Sequence, residues 1–210
     1  MKSKQASKIT PKARGSKRLM SELLTDTRQY IEQAEHADVE TLRQFLLANP
    51  ERPLIAMGHG GAHSSASYAS LLYGTNCGLG RVVTPYEANS FSDETIRNSK
   101  LLLVSTSLKN QDAVYIADRM IRVNPQHSCV LTMSQDENTM MKRMMKNNPN
   151  SVIRHSFDCA DGFISVNGTF IYFSLLYKAF TGDADFSRRL VLSSESADNY
   201  TYRCVDGITT

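Results

Sequence analysis

From residue 53 onward, short apolar runs alternate with longer helical patterns, and this alternation limits how the chain can fold. The runs are continuously apolar, as expected for strands buried on both faces of a parallel sheet. The predicted strands are Leu54–Met57, Arg81–Thr84, Leu101–Ser105, Ser128–Met133 and Ser151–His155. The predicted helices between them are Ser64–Tyr73, Asp93–Arg97, Gln111–Val123 and Glu137–Lys146. We therefore predict an α/β fold: a three-layer, doubly wound, five-stranded parallel sheet.

The strand order of such a sheet places two turns of unusual composition side by side. Five parallel strands commonly adopt the flavodoxin-like order 2-1-3-4-5, and ligands bind where the order reverses, between the first and third strands. The first strand runs into PLIAMGHGGAHSS at 53–65, and the third belongs to LLLVSTSLKNQD at 101–112. The topology thus predicts that these two turns are neighbours.

The two turns have the composition of an anion site. Gly58, Gly60 and Gly61 allow the backbone to come close to a ligand, and each following helix starts with unpaired N–H groups. Further hydroxyl, amide and hydrogen-bonding groups come from Ser64, Ser65, Ser105, Thr106, Ser107 and Asn110. The alternative is that these residues only form tight turns and helix caps. Their coincidence at the predicted switch point favours a phosphate site.

Two other phosphate-binding motifs fit the sequence less well. A Walker loop requires Gly-Lys-Ser/Thr, which the sequence lacks. A dinucleotide fingerprint requires GxGxxG, but His63 occupies the third glycine position and no acidic residue ends the second strand near Val83.

The charge is concentrated at the amino end. Residues 1–18 carry seven Lys or Arg and no acid, which leaves 17 basic and 21 acidic residues in the rest of the chain. This Lys-rich, apolar-poor segment is typical of a disordered, solvated arm, and it lacks the apolar region of a secretory signal. A nucleic-acid partner is not expected, because residues 19–49 show no helix-turn-helix pattern. We expect helices within 19–50, an α/β domain at 51–192 and a C-terminal extension at 193–210.

The cysteine pattern and the hydropathy indicate a cytoplasmic protein without a membrane span. The chain has four widely spaced cysteines and no CxxC pair: Cys77, Cys129, Cys159 and Cys204. This spacing argues against a zinc site or a disulfide framework, and a reducing compartment is the natural interpretation. The most apolar segment, Phe163–Phe180, is interrupted by Asn167 and Lys178, so we predict a buried or interface helix.

Both turns resemble the signatures of the sugar isomerase (SIS) family. The first signature is similar to IAMGHGGAHSSASYASLLY at 55–73, and the second to VSTSLKNQDAV at 104–114. The strand CVLTM at 129–133 and the DGF…N segment at 161–167 also resemble the family. The resemblance implies an SIS-like fold, here as a single module similar to the N-terminal half of a double-SIS protein.

In the SIS family the two turns bind the phosphate of a phosphosugar. Carried over by position, the implied phosphate-binding residues are Gly58, Gly60, His63 and Ser64 in the first turn and Ser105, Thr106, Ser107 and Asn110 in the second. One departure is Leu108, which stands where the family has glycine after the second serine. If this position requires a positive φ, a leucine there is strained.

The resemblance leaves two functions open. The first is an aldose–ketose phosphosugar isomerase or an amino-sugar-phosphate deglycase that acts as a homodimer or higher homo-oligomer. The alternative is a non-catalytic sugar-phosphate sensor, which the single module and Leu108 favour. A nucleotide-binding protein of the Rossmann type is a third class, disfavoured by the lack of an acid after the second strand.

An isomerase also needs a general base. Glu87, after the second strand, is the best-placed carboxylate, and the alternative is a solvated loop acid. His59 and His63 fit a capping or phosphate-facing role better than metal ligation, because no third ligand is evident. We therefore expect neither a metal nor a cofactor.

Overall fold

A computed structural model of the chain describes residues 20–134, 139–157, 166–184 and 186. Within these ranges five parallel strands form one sheet in the order β2-β1-β3-β4-β5. The strands are β1 (Leu54–Met57), β2 (Gly80–Val83), β3 (Lys100–Val104), β4 (Ser128–Thr132) and β5 (Val152–Arg154). The predicted α/β fold and the order 2-1-3-4-5 are confirmed. The predicted arm at 1–18 and extension at 193–210 lie outside the described residues.

Helices connect the strands and follow the predicted pattern closely. The described ranges contain α1 (Met20–His36), α2 (Glu40–Leu47), α3 (Gly61–Asn76), α4 (Pro85–Asn89), α5 (Asp93–Asn98), α6 (Gln111–Val123), α7 (Thr139–Asn147) and α8 (Val166–Thr181). The bounds of α6 agree with the prediction. Helix α3 begins three residues before the predicted Ser64, and the short α4 was not predicted.

The sheet is covered on both faces. On one face, Leu54, Ala56 and Leu102 belong to a cluster that includes buried side chains of α1, α2, α3 and α8. On the other face, Ile55 and Leu103 belong to a second cluster, with α4, α5, α6 and α7. Because successive strand residues point to opposite faces, an apolar residue at every position fills both clusters. The central strand β1 is therefore a continuous apolar run, whereas the edge strand β2 contains the exposed Arg81.

The helices before β1 pack onto the sheet and its helices. Helix α2 buries Leu42 and Leu46 in the first cluster, while α1 packs along α8. Lys178 of α8 donates hydrogen bonds to the carbonyls of Glu35 (2.7 Å) and Ala37 (2.6 Å) at the end of α1. In the part of the chain that the structure describes, no helix combines the length and apolarity that crossing a membrane requires.

A buried lysine holds α2 against the amino end of the sheet. Lys100, 1% exposed, donates hydrogen bonds to the carbonyls of Leu46 (2.9 Å) and Ala48 at the end of α2. Its ammonium group also lies 5.0 Å from the centre of the Tyr73 ring. Burial lowers the pKa of Lys100 to about 8. This contact lies at the amino ends of the strands, opposite the two glycine- and serine-rich turns.

Candidate functional site

The two predicted turns meet at one small cavity. It lies at the carboxyl ends of β1 and β3, where the strand order reverses, and has a volume of about 90 Å³. It is lined by His59, Gly61, Ala62, Pro85, Val104, Ser105, Thr106, Asn110, Ala113, Gly168, Thr169 and Tyr172. Both turns contribute to this wall, so the predicted neighbourhood of the turns is confirmed. Parallel α/β sheets bind their ligands at such a position.

Two glycines determine the shape of the first turn. A Cβ atom on Gly58 would lie 2.3 Å from the carbonyl oxygen of Ala62, so the strand end and the start of α3 approach closely only without a side chain. Gly60 has φ +54°, a conformation that L side chains rarely adopt. Because Gly60 completes the turn, α3 already begins at Gly61. The start of α3 therefore lies at the cavity, where the amides of Ala62 and His63 already donate to the carbonyls of His59 (3.0 Å) and Gly60 (2.9 Å).

Side-chain hydrogen bonds hold the second turn. The Ser105 hydroxyl accepts a hydrogen bond from the Leu108 amide (3.0 Å), and the Asn110 side chain accepts bonds from the amides of Asp112 (2.9 Å) and Ala113 (3.2 Å). Thr132, at the end of β4, donates to the carbonyl of Thr106 (3.1 Å). The turn is thus fixed to its own helix and to the next strand.

Leu108 has the positive φ that its place in the turn demands. Its φ is +50°, in the left-handed region that favours glycine, and only 1% of its surface is exposed. The side chain belongs to the cluster beneath α6. The sequence-based concern about this position is therefore justified: the leucine keeps a strained backbone while its side chain fills the core.

Helix α8 forms a wall that sequence analysis did not predict. Gly168, Thr169 and Tyr172 all line the cavity. The helix follows β5 at the edge of the sheet but packs back over α3, which brings its first turns above the switch point. The adjacent Gly168 and Thr169 in a largely apolar helix were the signal that could have identified this wall.

The predicted site residues divide into two groups. Ser105, Thr106 and Asn110 line the cavity, as do His59 and Gly61 of the first turn. The other predicted positions are described, but they are not among the lining residues: Gly58, Gly60, His63, Ser64, Ser65, Ser107 and Glu87. Of these, Ser65 is fully buried and donates a hydrogen bond to the carbonyl of Gly61 (3.3 Å), while Ser64 is exposed. Phosphate binding by all these residues stays a prediction.

The cavity wall carries little formal charge. Its described lining residues include His59 but no Lys or Arg. The Nε2 atom of His59 lies 3.9 Å from the Oδ2 atom of Asp112 at the start of α6. The side chain of His59 is 40% exposed and that of Asp112 is 43% exposed. Across residues 20–134, 139–157, 166–184 and 186, no group of three His, Cys, Asp or Glu side chains is arranged to hold a metal ion.

Glu87 has a structural role at the start of α4. Its Oε2 atom accepts hydrogen bonds from the backbone amide (2.7 Å) and the hydroxyl (2.8 Å) of Thr84, and its own amide donates to that hydroxyl (3.2 Å). This reciprocal arrangement is a capping box. The hydrogen bonds from Thr84 lower the pKa of Glu87, and the nearby His63 contributes in the same direction. Both effects make the carboxylate a weaker base.

Comparison with solved structures identifies similar folds. A candidate phosphosugar isomerase involved in capsule formation, from Bacteroides fragilis NCTC 9343, is similar with a TM-score of 0.58 at 19% identity, over 80% of this chain and 90% of that chain. A candidate sugar-binding protein from Salmonella typhimurium LT2 is similar with a TM-score of 0.55 at 16% identity, over 80% of this chain and 50% of that one.

A third similar structure comes from Methanococcus jannaschii. It is a hypothetical protein for which a 3-hexulose-6-phosphate isomerase function was inferred; the TM-score is 0.54 at 10% identity, over 81% of this chain and 92% of that chain. No family model and no curated protein sequence matches the chain. At these identities the likeness concerns the fold. The described part of the chain has the SIS-like α/β fold that its sequence predicts.

Proposed function

We propose that this chain belongs to the SIS family and binds a phosphorylated sugar in the cavity between its two turns. The observation that carries the proposal is that both turns line one cavity at the reversal of the strand order. Helices α3 and α6 both begin at this cavity. The partial positive charge of a helix N-terminus attracts phosphate even where its amides are capped, as those of Asp112 and Ala113 are by Asn110. The fold that the chain shares with candidate phosphosugar isomerases supports a sugar as the remainder of the ligand.

The proposed contacts divide the ligand into two parts. The phosphate binds to the backbone amides of the first turn and to the hydroxyls of Ser105 and Thr106. The sugar extends toward the wall of α8, where Thr169 offers a hydroxyl and Tyr172 an aromatic ring. Such a division is typical of small-molecule sites, in which a few polar groups orient the ligand.

Binding without catalysis is the function that the geometry supports best. The lining residues that the structure describes include no carboxylate, and Glu87 is held in the capping box of α4. A sugar-phosphate sensor requires only the cavity and a surface that responds to the ligand. The shared fold favours a second candidate, an aldose–ketose phosphosugar isomerase or an amino-sugar-phosphate deglycase.

Assembly and domain division stay predictions. We propose that two or more copies associate, so that a neighbouring copy could complete the site of an enzyme. We also propose that the ligand-binding domain spans residues 51–192, with the basic arm at 1–18 and the extension at 193–210 outside it.

A thermal-shift assay tests the binding proposal. Hexose, amino-hexose and pentose phosphates should raise the melting temperature, whereas the parent sugars should not. A ligand at about 100 times its Kd adds about 2.7 kcal/mol, or roughly 5–10 °C for a chain of this size. Thr106→Val removes a lining hydroxyl and should reduce the shift, while the same exchange at Thr75, an exposed residue near the end of α3 outside the lining, is the matched control. If no sugar phosphate stabilises the wild-type chain, the proposal is wrong.

A coupled isomerisation assay separates the sensor from the enzyme. Glutamine also serves in a capping box, so Glu87→Gln removes the carboxylate while α4 keeps its start. A sensor shows no turnover with any sugar phosphate that binds. Turnover that is lost in Glu87→Gln would identify an enzyme with Glu87 as its base. Unchanged turnover in this variant would remove Glu87 from the mechanism.

A further inference from the structure

The cavity has to compensate the charge of an anion with few charged groups. The described lining residues contain neither Lys nor Arg, and His59 is the lining residue that can gain a positive charge near neutral pH. Backbone amides and hydroxyls can satisfy phosphate oxygens, but they carry no net charge. A proton on the His59 imidazole would add a full positive charge to the partial charges of the two helix ends.

Asp112 limits what His59 can offer. The Nε2 atom of His59, in the glycine-rich turn after β1, lies 3.9 Å from the Oδ2 atom of Asp112, at the start of α6. The position of Asp112 is favourable for a carboxylate, because the N-terminus of a helix carries a partial positive charge. An anion brought to the same helix end would be repelled by it. His59 can hence pair with Asp112 or with an anion in the cavity.

Other ionisable groups lie near this pair. From α3 comes His63, whose Nδ1 atom is buried without a hydrogen-bond partner in the described structure, and from α4 comes Glu87, bound to Thr84. Helix α8 contributes the Tyr172 phenol. Of the two histidines, His59 lines the cavity and His63 does not.

We propose that His59 is the specificity-determining residue that selects anionic over neutral ligands, and that Asp112 competes with the anion for it. The inference rests on the proposed function, since it concerns the same cavity. Ligand binding moves the imidazolium from Asp112 to the phosphate, so binding strengthens as His59 gains its proton. The cavity thereby binds phosphate esters in preference to sugars that lack a phosphate.

Sulfate is the probe that isolates this effect, because it remains a dianion between pH 5.5 and 8.5 while a phosphate ester titrates. Backbone NMR signals of the two turns report binding, with sulfate and with fructose 6-phosphate as ligands. We expect both to bind more tightly at pH 6 than at pH 8. His59→Gln should weaken binding roughly fivefold at pH 6 and little at pH 8. Asp112→Asn should strengthen binding roughly threefold at pH 7.

Two control variants separate local from general charge effects. His127→Gln removes a histidine that precedes β4, at the amino ends of the strands and away from the cavity, and should leave the pH dependence intact. Asp118→Asn removes an acidic group from the same helix, where it pairs with Arg122 and Arg143, and should not strengthen binding. For fructose 6-phosphate, the ratio of the variant and wild-type Kd values cancels the titration of the ligand.

The outcomes distinguish this inference from the proposed function. If an anion binds at the two turns and His59→Gln has the same effect at pH 6 and pH 8, or none, the role of His59 is refuted and the binding proposal stands. If neither anion shifts the signals of the turns at any pH, the proposed function fails and the inference fails with it. A pH dependence that only the His59 variant loses supports both.

Discussion

Leu108 offers a test of the link between backbone strain and core packing at the site. Its φ of +50° is unfavourable for an L residue, and only 1% of its surface is exposed. Its amide donates the hydrogen bond that the Ser105 hydroxyl accepts, so the strained residue also shapes the turn that lines the cavity. We infer that the burial of the side chain offsets the cost of the backbone.

The two terms can be separated by substitution. A left-handed conformation costs an L residue about 1–2 kcal/mol, and truncation of a buried leucine to alanine costs about 2–5 kcal/mol. Leu108→Ala loses the packing and keeps the strain, because alanine retains its Cβ atom. Leu108→Gly loses the packing but also the strain. We therefore expect the glycine variant to be about 1 kcal/mol more stable than the alanine variant, although both are less stable than the wild type.

Urea unfolding at equilibrium measures this difference. The matched control is Leu103, which is fully buried in the extended strand β3. There the order should reverse, because glycine in a strand is about 0.5–1 kcal/mol less favourable than alanine. If Leu108→Gly is as unstable as Leu108→Ala, or less stable, the argument that this backbone is strained is refuted.

Three further predictions concern residues that position the site or support the sheet. Gly58→Ala should destabilise the fold by about 1–3 kcal/mol in urea unfolding and abolish ligand binding, because its Cβ would overlap the Ala62 carbonyl at 2.3 Å. The control is Gly74→Ala at an exposed position of α3, which should be neutral or stabilising. Equal effects of the two substitutions would contradict the steric argument. Asn124→Ala should cost about 2–3 kcal/mol in the same assay, because the buried amide donates to the carbonyls of Ile96 and Ser99, each at 2.8 Å; a loss below 0.5 kcal/mol would refute this role. Burial lowers the pKa of Lys100 to about 8 in the folded state, well below its ordinary value of 10.5. The unfolded state therefore binds more protons between these two pH values, and the free energy of unfolding increases as the pH rises. Lys100→Met should therefore become less stable relative to the wild type by about 2 kcal/mol between pH 7 and pH 9.5, and a pH-independent difference would contradict the assignment.

The strands and their order were predictable because burial on both faces leaves a direct mark on the sequence. Leu54–Met57 is apolar at every position, and the structure gives β1 the same bounds. The stripe of buried residues in Gln111–Val123 defined α6 in the same way. Periodicity and strand order together were enough to place the two turns at one cavity.

The remaining features depend on contacts between residues that are distant in the sequence. For Glu87 the sequence suggested either a general base or a solvated loop acid, whereas in the structure it forms a capping box with Thr84. A threonine three residues before a glutamate is the sequence signature of this motif. The wall formed by Thr169 and Tyr172 depends on the path of α8 back over α3, which local sequence patterns do not determine. The pairing of His59 with Asp112 likewise arises from the neighbourhood of two turns.

The central claim is that the two turns together form the binding site for the phosphate of a sugar. An NMR titration tests it most directly, with ¹⁵N-labelled protein and fructose 6-phosphate compared with fructose. We predict that the phosphorylated sugar shifts the backbone signals of Gly60, Gly61, Thr106 and Asn110 together, with one Kd, and that fructose does not shift them. Shifts confined to one turn, shifts elsewhere in the chain, or an equal response to fructose would contradict the account.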